Sequence, residues 1–165
     1  MTSVQKITPS LWFEDKCEEA MNFYVSIFPN SSIKTVQYYP DSSDDKNLNG
    51  MKGKVLTGIF ELAGQRFQAL DGGPIFKFNE AVSFSVECET QEEIDHYWEN
   101  LSSVPESEQC GWCKDKYGVS WQIVPKQLGE FMNDENPEKV GRVVQAFMQM
   151  KKFDIAKLQE AYDGK

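Results

Sequence analysis

The stretch AVSFSVECETQEEIDHYWENL, residues 81–101, decides the fold. Along its first nine residues Val82, Phe84, Val86 and Cys88 fall on one face and Ser83, Ser85 and Glu87 on the other, the period of a half-buried β-strand. The period then changes. Thr90 and Glu93 form a T-x-x-E capping box, and Ile94, Tyr97, Trp98 and Leu101 recur at helical spacing, so a strand feeds an amphipathic helix. Further on, SSVPESE (102–108) stands where a short strand is expected. QCGWCKD and VSWQIVP then flank the turn Lys116-Tyr117-Gly118 as two more strands.

The same order of elements precedes this stretch. KITPSLWF (6–13) is β-prone, and EDKCEEAMNFYVSIF (14–28) places Cys17, Ala20, Met21, Tyr24 and Phe28 near helical spacing, with Asp15 and Glu18 as a capping pair and Pro29-Asn30 as the stop. SSIKTVQYYP (31–40) is a β-branched and aromatic strand, and KVLTGIFEL and QRFQALDG flank a hairpin turn at Ala63-Gly64. The first half thus reads β-α-β-β-β and the second β-α-(short β)-β-β, joined by GGPIFKFNE (72–80). Such a duplication predicts an α+β fold of two βαβββ modules, about 1–79 and 80–125, forming one domain over 1–125. Each four-stranded sheet curls with its helix outside, and a concave face lies between the sheets.

Beyond Lys126 the tail predicts helices. Asn136-Pro137 reads as an N-cap with proline at the first helical position, and Val140, Val143, Val144, Phe147 and Met148 form an apolar stripe. Asp154 caps a last helix ended by Gly164. Residues 126–165 should pack on the modules or on a partner subunit, with the Met148–Met150 region in the core. DSSDDKNLNGMKG (41–53) is polar and glycine-containing and reads as a loop.

Composition narrows the function classes. Seventeen Lys plus Arg against 26 Asp plus Glu leave a formal charge of −9, which repels nucleic-acid phosphates and anionic lipid. No apolar run approaches the roughly 20 residues of a membrane span, and MTSVQKITP lacks the layout of a secretion signal, so a cytoplasmic protein is expected. In a reducing compartment the four cysteines, Cys17, Cys88, Cys110 and Cys113, are free thiols by default. Cys110 and Cys113 make a CxxC, but residues three apart in a strand point to opposite faces, and a turn and another strand follow where a thioredoxin-like motif would open a helix. The pair is read as two structural strand thiols.

EEAMNFYVSIFPNS in the first helix, LDGGP (70–74), CGW (110–112), KDKYGVSWQIVP in the last hairpin and the tail FMQMKKFDIAKLQEAYDG occur together and in order. By these motifs the chain resembles the glyoxalase/bleomycin-resistance/dioxygenase (vicinal oxygen chelate) superfamily. Within it the likeness is to the PhnB-like branch, often labelled 3-demethylubiquinone-9 3-methyltransferase-like. The resemblance implies paired βαβββ modules, a cleft inside the curled sheet, a homodimer and, in many relatives, a divalent metal held by His and Glu from the first and last strand of each module. Those positions fall near Thr8, Gln68, Ser83 and Gln122, and none is a histidine or a carboxylate. The only histidine, His96, lies on the second helix. The expected metal set is therefore none and no cofactor is expected, with Glu61, Asp71 and Glu87 able to enter the cleft if the strand register slips by one. Gly72-Gly73-Pro74 leads into no amphipathic helix and reads as a linker between modules, not as a nucleoside-cofactor turn.

Three readings follow. The first is a small-molecule-binding protein without metal, its ligand met by Thr8, Ser10, Trp12, Gln68, Ser83, Ser85, Trp121 and Gln122. The second is a metal-dependent lyase, isomerase or dioxygenase using Glu61, Asp71 or Glu87. The third is a homodimeric interaction module with a vestigial cleft. No nucleophile–base pair can be named, so catalysis is left open.

Overall fold

A computed structural model describes residues 5–40 and 50–165; most of the loop expected at 41–53 lies outside the described residues. The chain divides into two compact units, Met1–Lys77 and Phe78–Lys165. Both are mixed α+β units, so the fold class is as the periodicities indicate.

The first unit runs β1 (Ser10–Phe13), α1 (Cys17–Ile27), β2 (Ser32–Tyr38), β3 (Val55–Leu62) and β4 (Gln65–Asp71). Its four-stranded sheet has the order β1-β4-β3-β2, with β1 parallel to β4 and the other pairs antiparallel. Ala63 and Gly64 both have positive φ, as a tight two-residue hairpin requires. One sheet face, with Leu11, Phe13, Phe60, Phe67 and Ala69, is buried together with Cys17, Ala20, Met21, Tyr24 and Ile27 of α1. Tyr24 stacks on Phe60 at 6.3 Å, and a Cβ on Gly58 would lie 2.5 Å from Met21, so this glycine lets helix and sheet close. Burying each of these large side chains contributes roughly 1.5–3 kcal/mol.

The start of α1 departs from expectation. The N-cap position is Lys16, not Asp15, and no side chain at that position caps the helix. The cap comes from β4, where Asp71 Oδ1 accepts from the Cys17 amide at 2.8 Å.

The second unit runs β5 (Ser83–Cys88), α2 (Gln91–Leu101), β6 (Trp112–Lys114), β7 (Ser120–Pro125), α3 (Lys126–Met132), α4 (Pro137–Phe147) and α5 (Ile155–Asp163). The expected short strand at 102–108 is a 3₁₀ turn, Pro105–Ser107, because Pro105 has no amide to give a ladder. The described sheet thus has three strands, β5-β7-β6, not four. Val82 lies outside β5 and is exposed. The Thr90 hydroxyl caps α2 by accepting from the Glu93 amide, while Glu93 reaches back to the Glu89 amide. Buried Ile94, Tyr97 and Leu101 turn toward the face carrying Cys88, Cys113, Trp121 and Ile123.

The CxxC sits differently from a regular strand. Cys110 and Gly111 are both left-handed, φ +49° and +80°, and their amides donate to Met150 and Lys151 carbonyls. Only Cys113 lies in β6. Asn136 caps α4 and Asp154 caps α5, as their side-chain types indicate. Gln91 accepts from the Ile155 amide and donates to the Phe153 carbonyl, tying the C-terminal segment to α2. Val143 is buried, whereas Met148 is 52% exposed and outside the core where it was expected. Among the described residues no helix is long and apolar enough to cross a membrane.

Candidate functional site

In each unit the helix covers one sheet face and side chains of opposite parity occupy the other. On the first sheet Ser10, Gln68 and Ile59 pair across β1, β4 and β3, followed by the row Trp12, Leu70 and Thr57. Gln68 donates to the Thr57 hydroxyl at 3.0 Å. On the second sheet Ser83, Ser120 and Lys114 form one row across β5, β7 and β6, and Ser85, Gln122 and Trp112 form the next. Gln122 donates to the Ser83 hydroxyl at 2.9 Å. Gln68 and Gln122 thus hold corresponding places, each on the strand that runs parallel to the first strand of its unit and each bonded to a neighbouring hydroxyl.

The expected residues therefore separate into two groups. Ser10, Trp12 and Gln68 share one helix-free face, and Ser83, Ser85 and Gln122 share the other. Thr8 precedes β1 and is half-buried. Trp121 belongs elsewhere: it adjoins Gln122 in a strand, so it must point the opposite way, and it is buried with its indole N–H donating to Asp115 Oδ2 at 2.9 Å. Trp12 is fixed as an aromatic wall. Its indole N–H donates to the Gly73 carbonyl at 2.9 Å, its ring lies where any Cβ on Gly72 would fall, and Phe76 meets it edge-on at 5.0 Å.

Three residues of chemical interest were missed from sequence. Thr57 and Ser120 acquire their neighbours only through pairing register, for which no local signal exists. Asp115 did leave a signal, because an Asp opening Asp-Lys-Tyr-Gly predicts an Asx turn. Its buried carboxylate accepts from the amides of Tyr117 and Val119 as well as from Trp121.

The carboxylates weighed as metal ligands do not converge. Asp71 is on the helix side, buried at the head of α1. Glu61 is on the helix-free face but pairs with Lys34 at 3.0 Å, and Glu87 is exposed. Among the described residues no group of three or more His, Cys, Asp or Glu could hold a metal. Hydroxyl and amide groups at Ser10, Gln68, Ser83 and Gln122 are weak replacements for the imidazole and carboxylate donors that divalent transition ions favour, so this donor set does not fit the family's metal. Burial pushes the thiols of Cys88 and Cys113 up to about 12, and burial with the neighbouring Asp71 raises Cys17 further, so none of the three is a ready nucleophile. His96 is exposed on α2. Nor does Gly72-Gly73 fit a nucleoside cofactor: Gly73 is left-handed, but no helix follows before β5.

Comparison with known proteins places this geometry. The family model described as 3-demethylubiquinone-9 3-methyltransferase matches residues 5–124. A PhnB protein of Bacillus cereus carrying the same methyltransferase name is 43% identical over 73% of this chain and 99% of its own, with a TM-score of 0.60. A protein of Pseudomonas aeruginosa is similar in fold at 19% identity, covering 74% of this chain and 98% of that one, TM-score 0.57. The fosfomycin resistance protein FosX of Listeria monocytogenes is similar in fold at 17% identity, 81% of this chain and 100% of that one, TM-score 0.53. No curated protein matches the chain. The β-α-β-β-β order of the first unit and β-α-β-β order of the second, the family match over most of the chain and the relation to the Bacillus protein lead to one conclusion: the chain belongs to the 3-demethylubiquinone-9 3-methyltransferase-like, PhnB-like family of the vicinal oxygen chelate superfamily.

Proposed function

We propose that this protein binds a small organic molecule on the helix-free sheet faces and does so without a metal. One observation carries the reading: Gln68 and Gln122 stand at corresponding places in the two units, each oriented by a hydroxyl, where metal-binding relatives would need charged or imidazole donors. An amide oriented in this way offers a donor and an acceptor, and Trp12, locked by Gly73 and Phe76, offers a flat apolar surface. On the first unit's helix-free face, Gln68 and Trp12 suit a ligand with a planar apolar part and polar substituents. The family's methyltransferase name adds no chemistry to this reading, because function is argued from the site rather than from the fold.

Thermal unfolding in the presence of a panel of small aromatic acids and amides tests it. A ligand that binds only the native chain at a hundred times its Kd adds about 2.7 kcal/mol. The stabilisation should fall by about tenfold in affinity for Gln68→Ala and Gln122→Ala, the loss of one or two oriented hydrogen bonds. Stoichiometric Mn²⁺, Ni²⁺ or Zn²⁺ should leave the melting temperature unchanged; a saturable rise at one ion per chain would overturn the metal-free reading in favour of the superfamily's metal chemistry.

A further inference from the structure

The row Ser83–Ser120–Lys114 contains a polar group that the protein itself does not use. Ser120 is 2% exposed, and among the described residues its hydroxyl oxygen has no hydrogen-bond partner. Such a group costs free energy unless a water, an ion or a ligand meets it. On one side of it Ser83 accepts from Gln122 and keeps its own O–H to give. On the other side Lys114 carries an ammonium already joined to a carboxylate, that of Glu80, whose side chain is 59% exposed. Glu80 belongs to the stretch that leads into β5. That stretch also brings Phe78 to 3.8 Å from where a Cβ on Gly118 would lie, so it passes this end of the sheet.

We propose that Ser83, Ser120 and Lys114 receive an oxyanion of the bound molecule, a carboxylate or a phosphoryl group, and that Glu80 is the internal carboxylate it displaces. The inference rests on the small-molecule-binding reading above and names the ligand's charge. Two hydroxyl donors and an ammonium in a line complement an oxyanion, whose bonds to such donors are about twice as strong as those of neutral groups. The exposed Glu80 makes the exchange feasible, since it recovers full hydration on leaving. An oxyanion seated between Ser83 and Lys114 gives Ser120 the partner it lacks.

The first test needs no ligand. Ser120→Ala removes an unpartnered buried hydroxyl, so its melting temperature should equal or exceed that of the wild type; a clear fall would mean the hydroxyl has an internal partner and would overturn the proposal. The second test titrates benzoate, phenylphosphonate and benzamide into the wild type, Ser120→Ala, Lys114→Met and Glu80→Gln by calorimetry or NMR. The anions should bind more tightly than benzamide, and the preferred anion distinguishes carboxylate from phosphoryl recognition. Ser120→Ala and Lys114→Met should each lose about tenfold or more in anion affinity. Glu80→Gln should gain several-fold, with benzamide unaffected. If benzamide binds as well as the anions through Gln68 and Gln122, or Glu80→Gln changes nothing, the oxyanion row is wrong while the binding reading stands. If no compound binds, both fall.

Discussion

Asp71 carries its carboxylate into the interior of the first unit, where burial raises its pKa above the ordinary aspartate value of 3.8 although the Cys17 amide donates to it. A carboxyl that is harder to ionise in the folded chain holds its proton more tightly there. Its contribution to stability is therefore full below 3.8 and is lost as pH rises through the raised value. Asp71→Asn keeps an oxygen for the Cys17 amide and cannot ionise, so its stability relative to the wild type should grow with pH across that window. Urea unfolding at a series of pH values measures this, and a difference independent of pH would show that Asp71 is not the titrating group. Asp71→Ala should instead lose about 1–2 kcal/mol at every pH through the missing cap. The thiols make a second residue-scale prediction. Cys17, Cys88 and Cys113 are buried with raised pKa values while Cys110 is half-buried, so a disulfide reagent at pH 8 should label Cys110 first and the others only on unfolding. In sequence Asp71 was legible only as a carboxylate after a strand; that it caps a helix 54 residues earlier depends on the β1–β4 pairing.

Among the elements, those whose determinants are local behave as their residues dictate. Alternation gives β5, helical spacing gives α2, Ala63-Gly64 turns the hairpin, and Thr90, Asn136 and Asp154 cap the helices they precede. The exceptions have stated causes. The 102–108 stretch contains Pro105 and forms a 3₁₀ turn, and Cys110-Gly111 is held left-handed by the 150–151 carbonyls. Gly111 faces a double constraint, a φ of +80° and the Phe153 ring 2.3 Å from where a Cβ would be. Gly111→Ala should therefore destabilise by about 2–4 kcal/mol, combining left-handed strain with overpacking, as read from the denaturation midpoint. Gln91→Ala removes both bonds to the Phe153–Ile155 segment and should raise amide exchange in α5 while leaving β5 and β7 protected. Equal loss of protection everywhere would mean that the tail and the sheet unfold as one.

For the whole molecule the charge of −9 adds self-repulsion that dissolved salt screens over about 10 Å at 0.1 M. The ion pairs are largely exposed, Lys152–Asp95 at 2.6 Å among them, and such pairs contribute about 0–1 kcal/mol each. Raising sodium chloride from 0.02 to about 0.5 M, across the range where screening takes hold, should therefore raise the melting temperature; a fall would show that the pairs outweigh the repulsion. Apart from the 102–108 stretch, the order of strands and helices was present in the sequence, because it depends on residue type and on spacings of two to four residues, whereas Gln68 and Gln122 stood out only as the positions where the family resemblance implies metal ligands. The rows Ser10–Gln68 and Ser83–Ser120–Lys114, the inward turn of Trp121 and the cap from Asp71 were decided only when distant strands paired. A one-residue change of register would move every one of these side chains to the opposite face, and no local pattern specifies the register between strands dozens of residues apart.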